Sequence, residues 1–325
     1  MKVGFVGLGE VGGKLAGSLA RHGVDLTVCD LDRSAADPIL ADGAMWSDTP
    51  QAMAPGLDVL ITCLPSPAAT RSVMEGPDGA LAHLKPGAVW LEMSTTDADE
   101  VRRIAGVAAE RAIKVMDCPV SGGCHRAATG NIAIFAAGDR ATFEQVLPLL
   151  TLMGRQILHT GDLGSASTLK VMTNVLATAH LAVLAEAMVV MSRAGMDMAT
   201  TYEAIRISSG NSFVHETEGQ VILNGSRDVG FTNELVLKDI RLFQDIADKT
   251  ETPLDINPLL IRLFEDACER FGGGAWSTDI IRRLEEATGT TVHAPGFPAE
   301  LVDTEPEARG VEIKPKIGRT AQAAE

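Results

Sequence analysis

The chain has 325 residues, enough for two ordinary domains, and its 46% hydrophobic and 22% charged residues are typical of a globular protein. With 28 Lys and Arg residues against 43 Asp and Glu residues, the net charge is −15 at pH 7. This acidic balance argues against nucleic-acid partners and against binding to an anionic membrane surface, because both need basic protein surface.

The cysteines and the apolar stretches indicate a compartment. Five cysteines occur without a CxxC spacing, and no charged start followed by an apolar run marks a signal peptide. An odd number of cysteines without a secretory signal favours reduced thiols, so the sequence predicts a cytoplasmic protein. The longest apolar stretch, residues 171–191, is interrupted by Thr, Asn, His and Glu residues, which favours a buried helix over a membrane span.

The first half of the chain alternates strand and helix patterns. Short apolar runs predict strands at residues 2–7, 26–29, 59–63, 88–93, 115–116, 131–137 and 157–160. Helical spacing predicts helices at residues 11–22, 68–75 and 99–111. Apolar strands that alternate with helices predict an α/β domain of the Rossmann type, with a doubly wound, mostly parallel sheet, over residues 1–162.

The strand pattern ends in the second half of the chain. Helical spacing predicts helices at residues 165–194, 198–207, 214–223, 235–249, 254–271 and 277–288. Residues 163–289 are therefore predicted to form an all-α domain for substrate binding and oligomerisation. Residues 290–325 contain four prolines and little periodicity, and they predict an extended C-terminal tail that is either disordered or packed on a neighbouring subunit.

The first predicted strand leads into a glycine-rich turn, Gly7-Leu8-Gly9-Glu10-Val11-Gly12, that opens a helix. In a βαβ unit, such a turn bends tightly at its first glycine, admits a pyrophosphate at the second and packs on the sheet at the third. The N–H groups at the start of the helix also favour an anion. The turn therefore predicts a dinucleotide site, and a glycine-rich turn without a ligand is the alternative.

Asp30 follows the second strand, about twenty residues after the glycine turn, where an acid accepts hydrogen bonds from the adenosine ribose. A carboxylate at this position repels the extra phosphate of NADP, so Asp30 favours NAD. Arg33 lies close enough in sequence to pair with that phosphate, which leaves NADP open. The other interpretation of Asp30 is a residue that caps a turn or a helix.

Four separated motifs resemble those of the β-hydroxyacid dehydrogenase family, the group with 3-hydroxyisobutyrate dehydrogenase and tartronate semialdehyde reductase. They are residues 4–12 (GFVGLGEVG), 117–123 (DCPVSGG), 170–174 (KVMTN) and the F-x-x-x-L-x-x-K-D pattern of 231–239. The resemblance covers roughly residues 1–288, and it implies a helical domain like that of 6-phosphogluconate dehydrogenase.

The resemblance implies further contacts with the cofactor. Leu64, Pro65 and Thr95 follow two of the predicted strands, at the carboxyl edge where an open α/β sheet binds ligands. Lys238 resembles the family lysine that reaches the nicotinamide half from the helical domain. The alternative for Lys238 is a solvated charge beside Asp239.

Oxidation of an alcohol with NAD also needs a residue that takes the hydroxyl proton. Lys170 is our candidate for this general acid/base, because its helix is otherwise apolar and desolvation lowers the pKa of a lysine. Asn174 lies one turn further on the same helix face, where we expect it to bind a substrate oxygen or to hold Lys170. The alternative for Lys170 is an ordinary surface lysine.

A turn of small residues, Ser121, Gly122 and Gly123, predicts the substrate-binding loop. Its backbone N–H groups and the serine hydroxyl suit a carboxylate, and in the family this loop binds the substrate acid. Residues 124–126 (CHR) are unusual for the family and place Arg126 close to the predicted acid site. The spacing of cysteines and histidines predicts no metal site.

The sequence therefore predicts a reversible, NAD(P)-linked dehydrogenase of a small 3-hydroxy acid similar to 3-hydroxyisobutyrate, with the corresponding semialdehyde as product. Two alternatives are an imine reductase of related architecture, which Lys170 disfavours, and a non-catalytic dinucleotide-sensing module. The long apolar helices of the second domain predict a homodimer or homotetramer.

Overall fold

In the computed structural model, which describes residues 1–315, the N-terminal half is a sheet whose strands alternate with helices. The strands are β1 (Lys2–Val6), β2 (Asp25–Cys29), β3 (Met45–Trp46), β4 (Val59–Thr62), β5 (Val89–Glu92), β6 (Lys114–Asp117), β7 (Val120–Ser121), β8 (Ile132–Ala137) and β9 (Gly154–Gly161). The helices are α1 (Gly12–Arg21), α2 (Asp37–Ala41), α3 (Pro50–Met53), α4 (Pro67–Glu75), α5 (Ala98–Ala109), α6 (Cys124–Ala128) and α7 (Arg140–Met153).

The strand order is that of a dinucleotide-binding fold. The strands lie in the order β3-β2-β1-β4-β5-β6, and each neighbouring pair is parallel. This confirms the predicted doubly wound, mostly parallel sheet. Beyond β6, strand β8 pairs antiparallel with β6 and β7, and β9 runs parallel to β8. The order reverses between β1 and β4, which opens a crevice at the carboxyl ends of these strands.

The sheet is stable because both of its faces are covered. In β4, Val59 and Ile61 pack into one apolar cluster while Leu60, between them in the chain, packs into the cluster on the other face. All three side chains are fully buried. Strands buried on both faces read as continuous apolar runs, and this explains why the strands were readable in the sequence.

The second half of the chain forms the predicted all-helical domain. Its helices are α8 (Ser165–Arg193), α9 (Met198–Arg206), α10 (Phe213–Glu216), α11 (Glu218–Asn224), α12 (Asn233–Lys249), α13 (Ile256–Phe271) and α14 (Arg282–Thr288). The helix predicted over residues 214–223 is split at Thr217, and Ser277–Ile281 is a 3₁₀ turn rather than the start of α14. Met188, Ile240 and Phe264 form the centre of the domain core.

Helix α8 is the long axis of this domain. Its inner face carries Leu181 and Leu184 in the core, whereas Leu176, Val183 and Val190 on another face are exposed. By length and composition alone, α8 is apolar enough to cross a membrane. Such a helix is also found in the centre of helical domains, where one face packs against its neighbours.

Helix α7 is absent from the sequence-based predictions. Pro148 lies inside it, and a proline usually ends or kinks a helix because it lacks an N–H group. The helix nevertheless forms, since Phe143, Val146 and Leu150 are fully buried on one face of it. Packing thus outweighs the loss of one backbone hydrogen bond.

The described part of the C-terminal tail packs on both domains of its own chain. Val292 and Ala294 are buried in the core of the helical domain. Further on, residues Val311–Ile313 form a tenth strand, β10, which pairs in parallel with β9 at the edge of the sheet. Packing on its own chain differs from both predicted states of this tail, disorder and packing on a neighbouring subunit, and residues 316–325 lie outside the described part.

Between these anchors the tail contacts the loop before β8. Asp303 Oδ2 accepts a hydrogen bond of 2.8 Å from Asn131 Nδ2 and another from the Thr129 hydroxyl. Although burial alone would raise the pKa of Asp303, these hydrogen bonds lower it below its usual value. Glu307 adds a longer ion pair of 3.5 Å with Arg21 of α1.

We expect Asp303→Ala to lower the free energy of unfolding by about 1–3 kcal/mol at pH 7, because Thr129, Asn131 and the backbone N–H of Glu305 lose their acceptor. Glu300→Ala, at an exposed carboxylate of the same tail, is the matched control and should have little effect. Because the pKa of Asp303 is lowered in the folded state, the difference from wild type should shrink as the pH falls below about 4. Urea denaturation measures both effects, and superimposable curves for the two variants would contradict this role of Asp303.

Candidate functional site

The glycine turn after β1 is closed on its sheet side. A Cβ atom on Gly7, whose φ is +98°, would lie 2.2 Å from the carbonyl oxygen of Cys63, and a Cβ on Gly12 would lie 2.1 Å from that of Gly7. A Cβ on Gly9 would meet open space. The turn is therefore tight where it touches the protein and open at its middle glycine, which fits the pyrophosphate of a dinucleotide.

Asp30 is directly connected to this turn. Its carboxylate accepts a hydrogen bond of 2.5 Å from the backbone N–H of Leu8 and one of 2.9 Å from that of Asp32. The guanidinium carbon of Arg33 lies 4.7 Å from the centre of the Trp46 ring, and Arg33 Nη1 lies 3.3 Å from Asp37 Oδ1. Within the turn, Glu10 lies 3.5 Å from Lys14 and Val11 precedes the first residue of α1.

The residues after β4 and β5 form the next part of the crevice. The backbone N–H of Leu64 donates a hydrogen bond of 2.7 Å to Ser94 Oγ, which brings the segment containing Leu64 and Pro65 against the one containing Thr95. Below them, the carboxylate of Glu92 is fully buried and accepts a hydrogen bond of 2.7 Å from the Ser94 N–H. Burial raises the pKa of Glu92 despite this hydrogen bond. No local pattern in the sequence distinguishes Glu92 from the other residues of its strand.

Lys170 lies on the second turn of α8, between the two domains. Its Nζ is 2.7 Å from Asn174 Oδ1 and 3.3 Å from Ser121 Oγ. The residue is only 7% exposed. Burial lowers the pKa of Lys170 to about 8, and although Asp239 opposes this shift, Lys238 adds to it. The structure therefore brings the side chains of Lys170, Asn174 and Ser121 together.

Asn174 begins a chain of polar contacts that crosses the cleft. Its Nδ2 donates a hydrogen bond of 2.5 Å to Asp239 Oδ2, and the other oxygen of Asp239 lies 2.9 Å from Lys238 Nζ. Lys238 in turn donates a hydrogen bond of 2.5 Å to the carbonyl oxygen of Thr95 in the Rossmann domain. Asp239 was quoted in a motif but given no role by the sequence analysis.

Asp117, at the end of β6, fixes the start of α8. Its buried carboxylate accepts hydrogen bonds from the backbone N–H groups of Gly164 at 2.8 Å and Ser167 at 2.7 Å. These N–H groups have no partner within the helix, so an acid from another element caps it. Because Lys170 follows one turn later, Asp117 also sets the position of the lysine. This residue too was part of a motif without an assigned role.

The loop of Ser121, Gly122 and Gly123 has the backbone that its glycines permit. Gly122 and Gly123 have φ values of +128° and +87°, which residues with a side chain rarely adopt. Backbone N–H groups of a turn without side chains can be approached by a carboxylate. Since Ser121 contacts Lys170, an acid on this loop lies beside the lysine. In residues 1–315, no group of three His, Cys, Asp or Glu side chains is arranged for a metal ion.

Two family models match the chain. The model for the NAD binding domain of 6-phosphogluconate dehydrogenase matches residues 2–161. The model for the NAD-binding region of NADP-dependent 3-hydroxyisobutyrate dehydrogenase matches residues 164–284. These matches cover the glycine turn and the Lys170 helix, and they confirm the prediction that the cofactor is NAD(P).

Two relatives of the chain are named as dehydrogenases of small hydroxy acids. The chain is 32% identical over 293 residues to 2-(hydroxymethyl)glutarate dehydrogenase of Eubacterium barkeri, with 90% of this chain and 97% of the relative covered. It is 34% identical over 270 residues to NAD-dependent L-serine dehydrogenase of Pseudomonas aeruginosa, with 81% and 91% covered.

A solved structure gives the same result. A 3-hydroxyisobutyrate dehydrogenase from Salmonella typhimurium superposes with a TM-score of 0.81 at 29% identity, over 87% of this chain and 99% of that one. Fold, motifs and relatives together indicate an NAD(P)-dependent hydroxyacid dehydrogenase. The chain belongs to the β-hydroxyacid dehydrogenase family.

Proposed function

We propose that the protein reversibly oxidises a small 3-hydroxy acid to its semialdehyde, with Lys170 as the general acid/base. The observation that carries this proposal is the buried lysine whose Nζ lies within hydrogen-bond distance of both Asn174 and Ser121. Because Ser121 Oγ lies 3.3 Å from Lys170 Nζ, a carboxylate bound at Ser121 is close to the lysine. This arrangement suits a substrate whose hydroxyl is on the carbon β to the acid. Both 2-(hydroxymethyl)glutarate and L-serine, named for the relatives, have this arrangement.

Each residue has one task in this reaction. NAD(P), when bound, accepts the hydride or returns it. In the oxidation direction, the neutral Lys170 amine takes the hydroxyl proton, while Asn174 keeps the amine oriented. Ser121 and the N–H groups of Gly122 and Gly123 bind the carboxylate. The cofactor is bound by the glycine turn of residues 7–12 and by Asp30, Leu64, Pro65, Thr95 and Lys238.

Lys170 also separates this proposal from the alternatives. An imine reductase has no hydroxyl proton to remove, and a dinucleotide-sensing module needs no titrating group at all. Burial of a lysine costs free energy, since desolvation disfavours the charged form. The lysine here lies beside a carboxylate-binding turn and has a pKa near 8, which favours proton transfer.

We also propose that the chain forms a homodimer or homotetramer through α8. Leu169, Leu176, Val183 and Val190 recur every seventh residue, and they are 36%, 52%, 66% and 56% exposed. A stripe with this repeat matches the spacing with which one helix packs against another.

For localisation we propose the cytoplasm, a reducing compartment, because all five cysteines are free thiols.

Lys170→Ala should lower turnover by roughly 10²–10⁴-fold, the usual loss when a positioned general acid or base is removed. The affinity for NADH should change little, because the glycine turn and Asp30 are untouched. Stopped assays with 3-hydroxyisobutyrate and fluorescence titration with NADH measure the two quantities. If Lys170→Ala keeps normal kcat while Lys238→Ala abolishes it, the two lysines have been assigned the wrong way round.

The rate should depend on pH with opposite sign in the two directions. Oxidation needs the neutral amine of Lys170, so kcat should rise with pH and level off above about 8. Reduction needs the ammonium form, so kcat should fall over the same range. Lys170→Arg, which stays protonated, should show neither transition. A transition that persists in this variant would assign the titration to another group.

NAD should give the higher kcat/KM, because Asp30 repels the 2′-phosphate of NADP. Asp30→Ala should reduce this preference by about tenfold, the effect of losing roughly 1.4 kcal/mol of discrimination. Arg33→Ala tests the alternative, because it should weaken binding of NADP only if Arg33 pairs with the 2′-phosphate. A wild-type preference for NADP would contradict the assignment and point to Arg33 as a phosphate ligand.

Light scattering at micromolar concentration should find a dimer or tetramer. Val183→Glu places a charge in the centre of the stripe and should yield monomers. Leu259→Glu changes a side chain of α13 that is 43% exposed and lies outside the stripe, so the assembly should persist. A monomeric wild-type protein, or one that needs detergent to stay in solution, would contradict the proposed assembly.

A further inference from the structure

Arg126 of α6 borders the predicted carboxylate-binding loop. A Cβ atom on Gly122 would lie 3.4 Å from Arg126 Cδ, so the aliphatic stem of the arginine packs against this glycine. The preceding residue, Ser121, contacts Lys170 at 3.3 Å. The arginine is therefore a direct neighbour of the site that binds the substrate acid in the proposed function.

The guanidinium of Arg126 is held by an aromatic ring from the other domain. Its central carbon lies 5.3 Å from the centre of the Phe213 ring, at the start of α10. The imidazole of His125 stacks on the same ring, at 6.4 Å between centres and an angle of 17° between planes. Phe213 is 48% exposed, so this group lies at the open side of the cleft. Stacking fixes the plane of a guanidinium and leaves its N–H edges for a carboxylate.

The other basic groups at the cleft are committed elsewhere. Lys170 has a pKa of about 8 and is engaged by Asn174 and Ser121, while Lys238 lies against Asp239 at 2.9 Å. Burial, followed by the charge of Arg126, lowers the pKa of His125 although Asp303 opposes the shift, and this disfavours the charged form of the ring. Arg126 is therefore the fixed positive charge that faces the open side.

The carboxylate now paired with Arg126 can be replaced. Glu305 of the tail lies 3.5 Å from the guanidinium, and its side chain is 56% exposed. Such an exposed pair is weak, because water competes for both partners. By contrast, Asp303 on the same tail is fixed by Thr129 and Asn131. A carboxylate delivered by the substrate can thus take the position of Glu305 without moving the tail.

We propose that Arg126 binds a second carboxylate of the substrate, so that the enzyme prefers hydroxydicarboxylates over hydroxymonocarboxylates. The inference rests on the proposed function, in which the first carboxylate binds to the loop of Ser121, Gly122 and Gly123. Arg126 and Phe213 then act as specificity residues, because they touch the end of the substrate that does not react. The second carboxylate of the substrate replaces that of Glu305 on the guanidinium of Arg126.

The test uses pairs of substrates that differ only in the second acid. These are 2-(hydroxymethyl)butanedioate and 2-(hydroxymethyl)pentanedioate, each compared with its distal monoamide, together with 3-hydroxyisobutyrate. For wild type, kcat/KM should be at least about tenfold higher for one of the diacids than for its amide, mainly through a lower KM, since a charged hydrogen bond is lost in the amide.

Variants of both partners identify the group responsible. Arg126→Gln should reduce the diacid-to-amide ratio to about 1, and Arg126→Lys should give an intermediate ratio because it keeps the charge but not the fork. Glu305→Gln should raise the ratio, since the competing carboxylate is removed, and it stays informative should the Arg126 variants misfold. Arg140→Gln, on α7, is the matched control. Arg140 also lies over a phenylalanine ring, that of Phe143 at 4.9 Å, and it also pairs with a glutamate of the tail, Glu312 at 2.6 Å.

The outcomes separate this inference from the function on which it rests. If the enzyme turns over 3-hydroxyisobutyrate but its diacid-to-amide ratio of kcat/KM is near 1, the role of Arg126 is overturned and the proposed function stands. A ratio that is unchanged in Arg126→Gln, or lowered equally by Arg140→Gln, also overturns it. If no compound of the panel is turned over with NAD or NADP, the proposed function fails, and the inference fails with it.

Discussion

The burial of one lysine is the constraint on which the site depends. At 7% exposure, the Lys170 ammonium loses most of its hydration, and hydrogen bonds to Asn174 and Ser121 replace only part of it. Asn174 is itself held by Asp239, and the neighbouring Lys238 reaches the Rossmann domain at Thr95. The lysine is therefore tuned by contacts that exist only when both domains are in place.

Two further features fix the positions of the elements that make these contacts. Asp117 of the sheet caps α8, so the strand that ends beside the substrate loop also fixes the start of the helix that carries Lys170. The tail leaves the helical core at Ala294, binds the loop before β8 through Asp303 and then forms β10 at the edge of the sheet. The sheet thus fixes the start of α8, and the tail fixes the loop that precedes β8.

The sequence predicts those parts of the site that depend on local patterns. The glycine turn, the residues after β4 and β5 and the pair of Lys170 and Asn174 are each readable within a few residues. The contacts that hold these residues in place could not be predicted, because each joins residues that are distant in sequence. The separations are 47 residues for Asp117 and Gly164, 65 for Asn174 and Asp239, and 172 for Asn131 and Asp303. A three-residue strand such as β10 and a helix around an internal proline such as α7 carry little local signal.

The central claim is that packing between the domains lowers the pKa of Lys170 enough for proton transfer near neutral pH. The direct measurement is NMR titration of the enzyme with ¹³C-labelled lysine side chains, in which Lys170→Arg assigns the resonance. The structure predicts a midpoint of about 8 for Lys170, and a value closer to the ordinary one in Asp117→Ala, where the start of α8 is released. A midpoint near 10.4, the value of a solvated lysine, would contradict the account.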